Sequence, residues 1–210
     1  MVVVTLPCIN RSTEVYELSD PGKFEIASLH TMPRIAYAAV HVVADPVQDN
    51  NPSIDTAIDW DATINYRRYV WSLGLGVAEA MDTAQRGMGV NWENSLELVK
   101  RSVDAARDFQ IENGGALLAC GAGTDHLEPS PNISVDDVIN AYEEQCHAIE
   151  GAGGRIILMA SRALAMAASS PDDYLKVYEC ILSQVKEPVI IHWLGEMFDP
   201  ALKGYWGSDD

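Results

Sequence analysis

RIILMASR (residues 155–162) decides the fold class, because it is a continuous apolar run that ends in polar side chains. Strands of a parallel sheet covered on both faces have this continuous pattern, whereas half-exposed antiparallel strands alternate. Four similar runs are separated from it and from one another by helical stretches: IAYAAVHVVADP (35–46), GVAEAMDT (76–83), ALLACGAGTDH (116–126) and PVIIHWLGE (188–196). This alternation predicts an α/β fold with a parallel sheet.

The intervals between these runs predict a TIM-type (β/α) barrel of the aldolase kind. Roughly thirty to forty residues from strand to strand suit repeated βα units, and a closed barrel has eight of them. We therefore expect residues 34–210 to form about five units, with the carboxyl-terminal units of the barrel missing. Residues 1–33 form a separate amino-terminal extension, predicted as a β-hairpin that covers the amino-terminal face of the barrel.

The helices have recognisable first residues, since short polar side chains accept hydrogen bonds from the free N–H groups of a first turn. The predicted starts are Asp59 or Asp61, Asn91, Ser134 with Asp137 as a capping box, and Ser170 followed by Pro171. The glycines of 151–154 predict where the third helix ends.

Composition limits the partners and the compartment. The 210 residues carry a formal charge of −17, which disfavours nucleic acid and anionic membrane surfaces as partners. No apolar stretch is long enough to span a bilayer. The four cysteines lie in apolar surroundings without a Cys-x-x-Cys pair, so we expect reduced thiols and a cytoplasmic protein.

Polar side chains follow every predicted strand, at the end where barrel enzymes carry their chemistry. We expect them to meet at one mouth and to bind a small-molecule substrate. The predicted substrate-binding residues are Asp45, Asp82, Thr83, Arg86, Thr124, Asp125, His126 and Glu196. Asp45 precedes a proline and Asp125 follows small residues, so ordinary turn chemistry is the alternative for both.

Three further residues are predicted to be catalytic. His192 lies inside an apolar strand, where a polar group is costly to bury without a partner; the alternative is a core histidine bonded to a neighbouring strand. Glu79 is a buried-looking acid suited to proton transfer, and an ion pair with an inward arginine explains it equally well. Arg162 follows an apolar strand and suits a carboxylate or phosphate, unless it pairs with Glu79 or Asp82.

Carboxylates and histidines on several strands also permit a divalent metal site. The candidate ligands are Glu79, Asp125, His126, His192 and Glu196, but no spacing among them is diagnostic. We therefore assign no cofactor, and keep a divalent metal as an alternative.

One long segment resembles a known family. IDWDATINYRRYVWSLGLGVAEAMDTAQRGMGVNWENSLELVKRSV (58–103) is similar to the first helix, second strand, following loop and second helix of the dihydrodipicolinate synthase and N-acetylneuraminate lyase superfamily. The segments CGAGTDHL and VIIHWLGEMFDPAL are similar to its dihydrodipicolinate-synthase-like branch, domain-of-unknown-function family 993.

The resemblance implies class I aldolase chemistry, in which a lysine forms a Schiff base with a 2-oxo acid. A Gly-Thr-Thr-Gly-Glu loop holds the substrate carboxylate in that family, and here it corresponds to residues 82–86, where both glycines are replaced. The proton-relay tyrosine falls near Ser161 or Arg162. The lysine belongs on a sixth strand, and none of the five lysines takes its place: Lys23, Lys100, Lys176, Lys186 and Lys203.

We therefore expect a lyase or aldolase-like enzyme that acts on a small 2-oxo acid or a sugar-derived carbonyl compound. The alternatives are a metal-dependent sugar isomerase or hydrolase on the same barrel, and a catalytically inert partial-barrel subunit. An uncovered parallel edge is an aggregation hazard. We expect the chain to form a homo-oligomer or to bind a chain that supplies the missing units.

Overall fold

The computed structural model describes residues 2–20, 22, 34–51, 55–128 and 130–207. Most of the carboxyl-terminal part of the predicted extension, residues 21 and 23–33 with Lys23, lies outside this set. The predicted hairpin is confirmed: β1 (Val2–Pro7) pairs antiparallel with β2 (Thr13–Leu18). Its side chains are exposed along almost the whole length of both strands, so its role as a cover for the barrel stays a prediction.

A five-stranded sheet, parallel throughout, forms the centre of the fold, as the apolar runs predict. Its order follows the chain: β3 (Tyr37–Ala39), β4 (Gly76–Glu79), β5 (Leu118–Ala122), β6 (Ile156–Leu158) and β7 (Ile190–Ile191). Each neighbouring pair is parallel. The described residues therefore form a parallel half-barrel.

Five helices connect and cover the strands. They are α1 (Trp60–Ser72), α2 (Trp92–Asn113), α3 (Val135–Ala152), α4 (Arg162–Ala167) and α5 (Pro171–Gln184). The predicted caps are confirmed: Asp59, Asn91 and Ser134 accept hydrogen bonds from their first turns. Ser170 forms a capping box with Asp173, and α3 ends at the left-handed Gly153.

The two faces of the sheet carry different residues, because successive side chains of a strand alternate. On β4, Val77 packs with α1 and α2 in one buried cluster, whereas Ala78 belongs to a second cluster with Met81 and Ile157. Glu79 has the parity of Val77. It therefore faces the helices and not the inside of the half-barrel.

Two composition-based expectations meet the structure directly. All four cysteines are free, and Cys120 and Cys146 are buried. No helix in the part of the chain that the structure describes has the length and apolarity needed to cross a membrane.

Candidate active site

A cavity of about 210 Å³ opens at the carboxyl ends of β4, β5 and β6. The loops that follow these strands form its walls, and Leu194, Asp199 and Leu202 close it from the segment after β7. We call it the mouth cavity. It brings together five predicted residues: Asp82, Arg86, Thr124, Asp125 and Arg162.

Arg162 is the cation in this cavity that is available to a ligand. It begins α4, whose cap is the Ser161 hydroxyl, an acceptor from Leu164 N–H at 2.9 Å. Its Nε donates to Asp199 Oδ2 at 2.6 Å, and its side chain is 60% exposed. Among the described residues no hydrogen bond occupies its terminal amino groups. The ionic partner of Arg162 is therefore Asp199, in place of the predicted alternatives Glu79 and Asp82.

Asp82 presents a carboxyl group to the same cavity. It opens a 3-10 turn (Asp82–Ala84) after β4. Although Asp82 is exposed at the cavity surface, partial desolvation by the walls raises its pKa, and attraction from His192, Arg86 and Arg162 offsets only part of that rise. A carboxyl group with a raised pKa is suited to accept and return a proton. The N–H groups of Ala84 and Gln85 bond within the turn, so the turn does not offer them to an anion.

Arg86, in contrast, is fully occupied by the protein. Its Nε and Nη2 donate to the two Asp125 carboxylate oxygens at 3.0 and 2.6 Å. Nη1 donates to the carbonyls of Ala80 and Gly121 at 3.1 and 2.6 Å, and Nη2 also donates to Gln145 Oε1. All five N–H donors of the guanidinium are thus used. Arg86 shapes the wall and has no donor free for a substrate.

Gln145 is a site residue that the sequence analysis missed. It is fully buried on α3 and bonds to both Arg86 and Asp125. Desolvation raises the pKa of Asp125, but the hydrogen bonds and charge of Arg86, with the Gln145 bond, outweigh it and lower that pKa. A signal was present, because Gln145 lies on the same helical face as the buried Val138, Ala141 and Tyr142.

Two hydroxyl groups close the side of the cavity between β5 and β6. Thr124 Oγ1 and Ser161 Oγ lie 2.5 Å apart, and both residues are buried. Behind them the Tyr205 hydroxyl accepts from Ser161 N–H at 3.1 Å. The family resemblance implies a tyrosine at this point, and the structure places there the hydroxyl of a residue from the end of the chain. Burial raises the pKa of Tyr205.

His192 lies directly after β7, near Asp82. Its backbone N–H donates to the Leu158 carbonyl at 2.9 Å, and this hydrogen bond continues the pairing of β7 with β6. Its Nδ1 is buried and has no hydrogen-bond partner among the described residues. His192 attracts the Asp82 carboxylate electrostatically. It is thus a polar group beside the mouth cavity with one nitrogen uncommitted.

Glu79 does not reach the mouth cavity, contrary to the expectation of convergence. Both of its oxygens accept from Arg67, at 2.9 Å each, and Oε2 also accepts from Ser102 at 2.6 Å. The pair is fully buried between the sheet, α1 and α2. The ion-pair alternative describes its geometry, with Arg67 as the partner, and we assign no proton transfer to Glu79.

The other predicted residues lie outside the mouth cavity. Asp45 accepts from Val47 N–H at 3.0 Å, which is the turn chemistry given as its alternative. Thr83 and Glu196 are exposed and do not line the cavity. His126 borders a neighbouring groove with Glu144 and Trp92. No described lysine lines the mouth cavity either.

The candidate metal ligands do not converge. Within the described residues, no three His, Cys, Asp or Glu side chains form a group that could hold a metal ion. Glu79 faces the helices, and Asp125 is committed to Arg86. The residues that do converge are those of the mouth cavity.

Comparison with known proteins identifies the family of the chain. The sequence matches, over residues 4–210, the model of a family described as "Protein of unknown function (DUF993)". The chain belongs to the DUF993 family. No curated protein matches it.

Solved structures resemble this DUF993 chain in fold. The dihydrodipicolinate synthase from Bacillus clausii superposes with a TM-score of 0.54 at 14% identity, over 83% of this chain and 50% of that one. The enzyme from Oceanobacillus iheyensis gives 0.52 at 14% identity, over 80% and 47%. The chain thus spans about half the length of the structures that it matches. At this identity the likeness shows the fold alone.

Proposed function

We propose that the mouth cavity binds a small 2-oxo acid or a sugar-derived carbonyl compound with an anionic group, and carries out the proton transfers of a lyase or aldolase. One observation carries the proposal. An arginine with free terminal amino groups, Arg162, and a carboxyl group with a raised pKa, Asp82, line one cavity at the carboxyl ends of parallel strands.

Each group has a separate task in this proposal. The Arg162 amino groups bind the substrate carboxylate in a bidentate or single charge-assisted hydrogen bond. Asp82 accepts a proton from the carbon beside the carbonyl, or returns one to it, and His192 stabilises the carboxylate form of Asp82. Because no described lysine reaches the cavity, the proposal assigns no Schiff-base step to these residues.

Pyruvate tests the anion site, since it is the smallest 2-oxo acid. We expect Arg162→Gln to weaken pyruvate binding by about 10- to 100-fold in calorimetric titration, the effect of one lost charge-assisted hydrogen bond. Arg155→Gln is the matched control, because Arg155 is exposed and lies at the amino end of β6, whereas Arg162 lies beyond its carboxyl end. Equal losses in both variants, or no preference for pyruvate over uncharged acetone, would contradict the proposal.

We also propose that further parallel βα units cover the open edge of the sheet. β7 pairs only with β6 in the described residues, and its Ile190 and Ile191 are 42% and 45% exposed. The flanking Trp193, Met197 and Phe198 are more than two-thirds exposed. An apolar parallel edge of this kind favours association.

Light scattering after size-exclusion chromatography tests this edge. We expect the chain alone to associate, and we expect Ile191→Lys to reduce the association because it places a charge on the edge. Leu175→Lys, on a more exposed helical position away from the sheet edge, is the control and leaves association unchanged. A monomeric wild-type chain with a cooperative melt contradicts the covering proposal.

A further inference from the structure

In the loop of residues 85–89, beside the mouth cavity, Arg86 is the buried side chain, and the Thr56 hydroxyl also contacts the loop by donating to the Gly89 carbonyl. Arg86 is 4% exposed, whereas the residues on either side of it in this loop are exposed. The loop closes on itself, with Gly87 N–H donating to the Val90 carbonyl and Val90 N–H to the Gln85 carbonyl, both at 3.1 Å. Thr56 contacts the far end of the loop, whereas Arg86 and Gly87 line the cavity, so the groups that bind Arg86 position this part of the wall.

Gln145 binds Arg86 through its side-chain amide, whose oxygen and nitrogen each form two hydrogen bonds. Its Oε1 accepts from Arg86 Nη2 and from Gly123 N–H, the latter at 2.7 Å. Its Nε2 donates to Asp125 Oδ1 at 3.0 Å and to His126 Nδ1 at 2.8 Å. Two donors face Oε1 and two acceptors face Nε2, so only one orientation of the amide satisfies all four.

This orientation fixes the tautomer of His126. Nδ1 needs a lone pair to accept from Gln145, so the ring proton lies on Nε2, 3.4 Å from Glu144 Oε2. A second proton, on Nδ1, would set one N–H against another. Turning the Gln145 amide does not relieve this, because its NH₂ group would then face the Arg86 and Gly123 donors. A protonated His126 must therefore leave Gln145, and the Glu144 carboxylate is placed to receive it.

We propose that Gln145 and His126 are positioning residues for Arg86, and that proton binding by His126 loosens the loop of residues 85–89. The side chain of His126 is 21% exposed, so a proton can reach it. A consequence for the substrate, weaker binding at lower pH, rests on the proposed function; the consequence for the loop does not. The charged groups around His126 are Glu144 on α3, Asp125 in its own loop, Arg86 through Gln145, and Glu93 at the start of α2. The centroids of the His126 and Trp92 rings are 6.2 Å apart.

Amide hydrogen exchange of Gly87 and Val90 tests the proposal, measured between about pH 8 and about pH 5, where imidazoles titrate. After correction for intrinsic exchange, we expect loop opening to increase about three- to tenfold as the pH falls, the equivalent of one hydrogen bond. His126→Asn keeps an acceptor near the Nδ1 position and cannot gain a proton, so its exchange should not change with pH. Gln145→Leu should open the loop at every pH.

His147→Asn is the matched control, because His147 is an exposed histidine on the same helix. It should keep the wild-type response. Nitrogen NMR of the imidazole supplies a second readout, with the Nε2–H tautomer expected at high pH. A loop whose opening ignores pH, a wild-type response in His126→Asn, or an Nδ1–H tautomer would overturn the proposal. Failure of pyruvate to bind would overturn the proposed function alone, because none of these measurements uses a ligand.

Discussion

Glu79→Gln is expected to lower the free energy of unfolding by about 3–5 kcal/mol, the usual cost of breaking a buried ion pair by removing one partner. Arg67 and Glu79 are both fully buried, so the remaining guanidinium would keep its charge without a carboxylate beside it. Arg67→Met should cost a similar amount. The double variant Arg67→Met with Glu79→Gln should cost less than the sum of the two single losses, because both buried charges are gone.

Urea unfolding measures these differences, and Arg68→Met is the control. Arg68 is the next residue of α1, and its amino groups lie 3.8 and 3.7 Å from the exposed Asp108 and Glu112. Solvent screens such pairs, so we expect a change below about 1 kcal/mol. A Glu79→Gln variant as stable as the wild type would contradict the buried pair. If Glu79→Gln lowered the affinity for pyruvate without lowering the stability, Glu79 would again be a candidate catalytic residue.

Arg86→Met is the second large effect, and we expect a loss of about 3–5 kcal/mol of unfolding free energy. The change removes the ionic partner of Asp125 and leaves the buried carbonyls of Ala80 and Gly121 without this donor. Each unsatisfied buried acceptor costs about 1–3 kcal/mol. The fall should shrink below about pH 4, because Asp125, whose pKa is lowered, gives its pairing energy only while it is ionised.

The control for Arg86 is an exposed arginine with a similar ionic contact. Arg107 donates to Asp104 at 3.0 Å on the surface of α2, with both side chains more than half exposed. Arg107→Met should change the unfolding free energy by less than about 1 kcal/mol. Equal destabilisation in the two variants would mean that the network around Arg86 does not stabilise the fold.

The sheet, the hairpin and the helix starts could be predicted from local pattern. A short continuous apolar run between helical stretches, such as that of β6, indicates a covered parallel strand, and Asn91 or Ser134 caps a helix through contacts only three residues away. These features depend on nearby residues, so they can be predicted from short stretches of the sequence.

The facing of side chains and their distant partners could not be predicted in the same way. Because both faces of β4 are buried, its hydrophobicity does not tell which face Glu79 joins. Arg162 pairs with Asp199, which is far along the chain, and Gln145 approaches Arg86 from another helix. A useful signal is a polar residue on the buried face of a helix, as with Arg67 and Gln145.

The most direct measurement is a crystal structure of the chain with bound pyruvate. The carboxylate should lie about 2.7–3.2 Å from the Arg162 terminal amino groups, with its carbonyl end toward Asp82. Pyruvate bound away from Arg162 and Asp82, or neighbouring strands that run antiparallel, would contradict a carbonyl-binding site at the carboxyl ends of a parallel sheet.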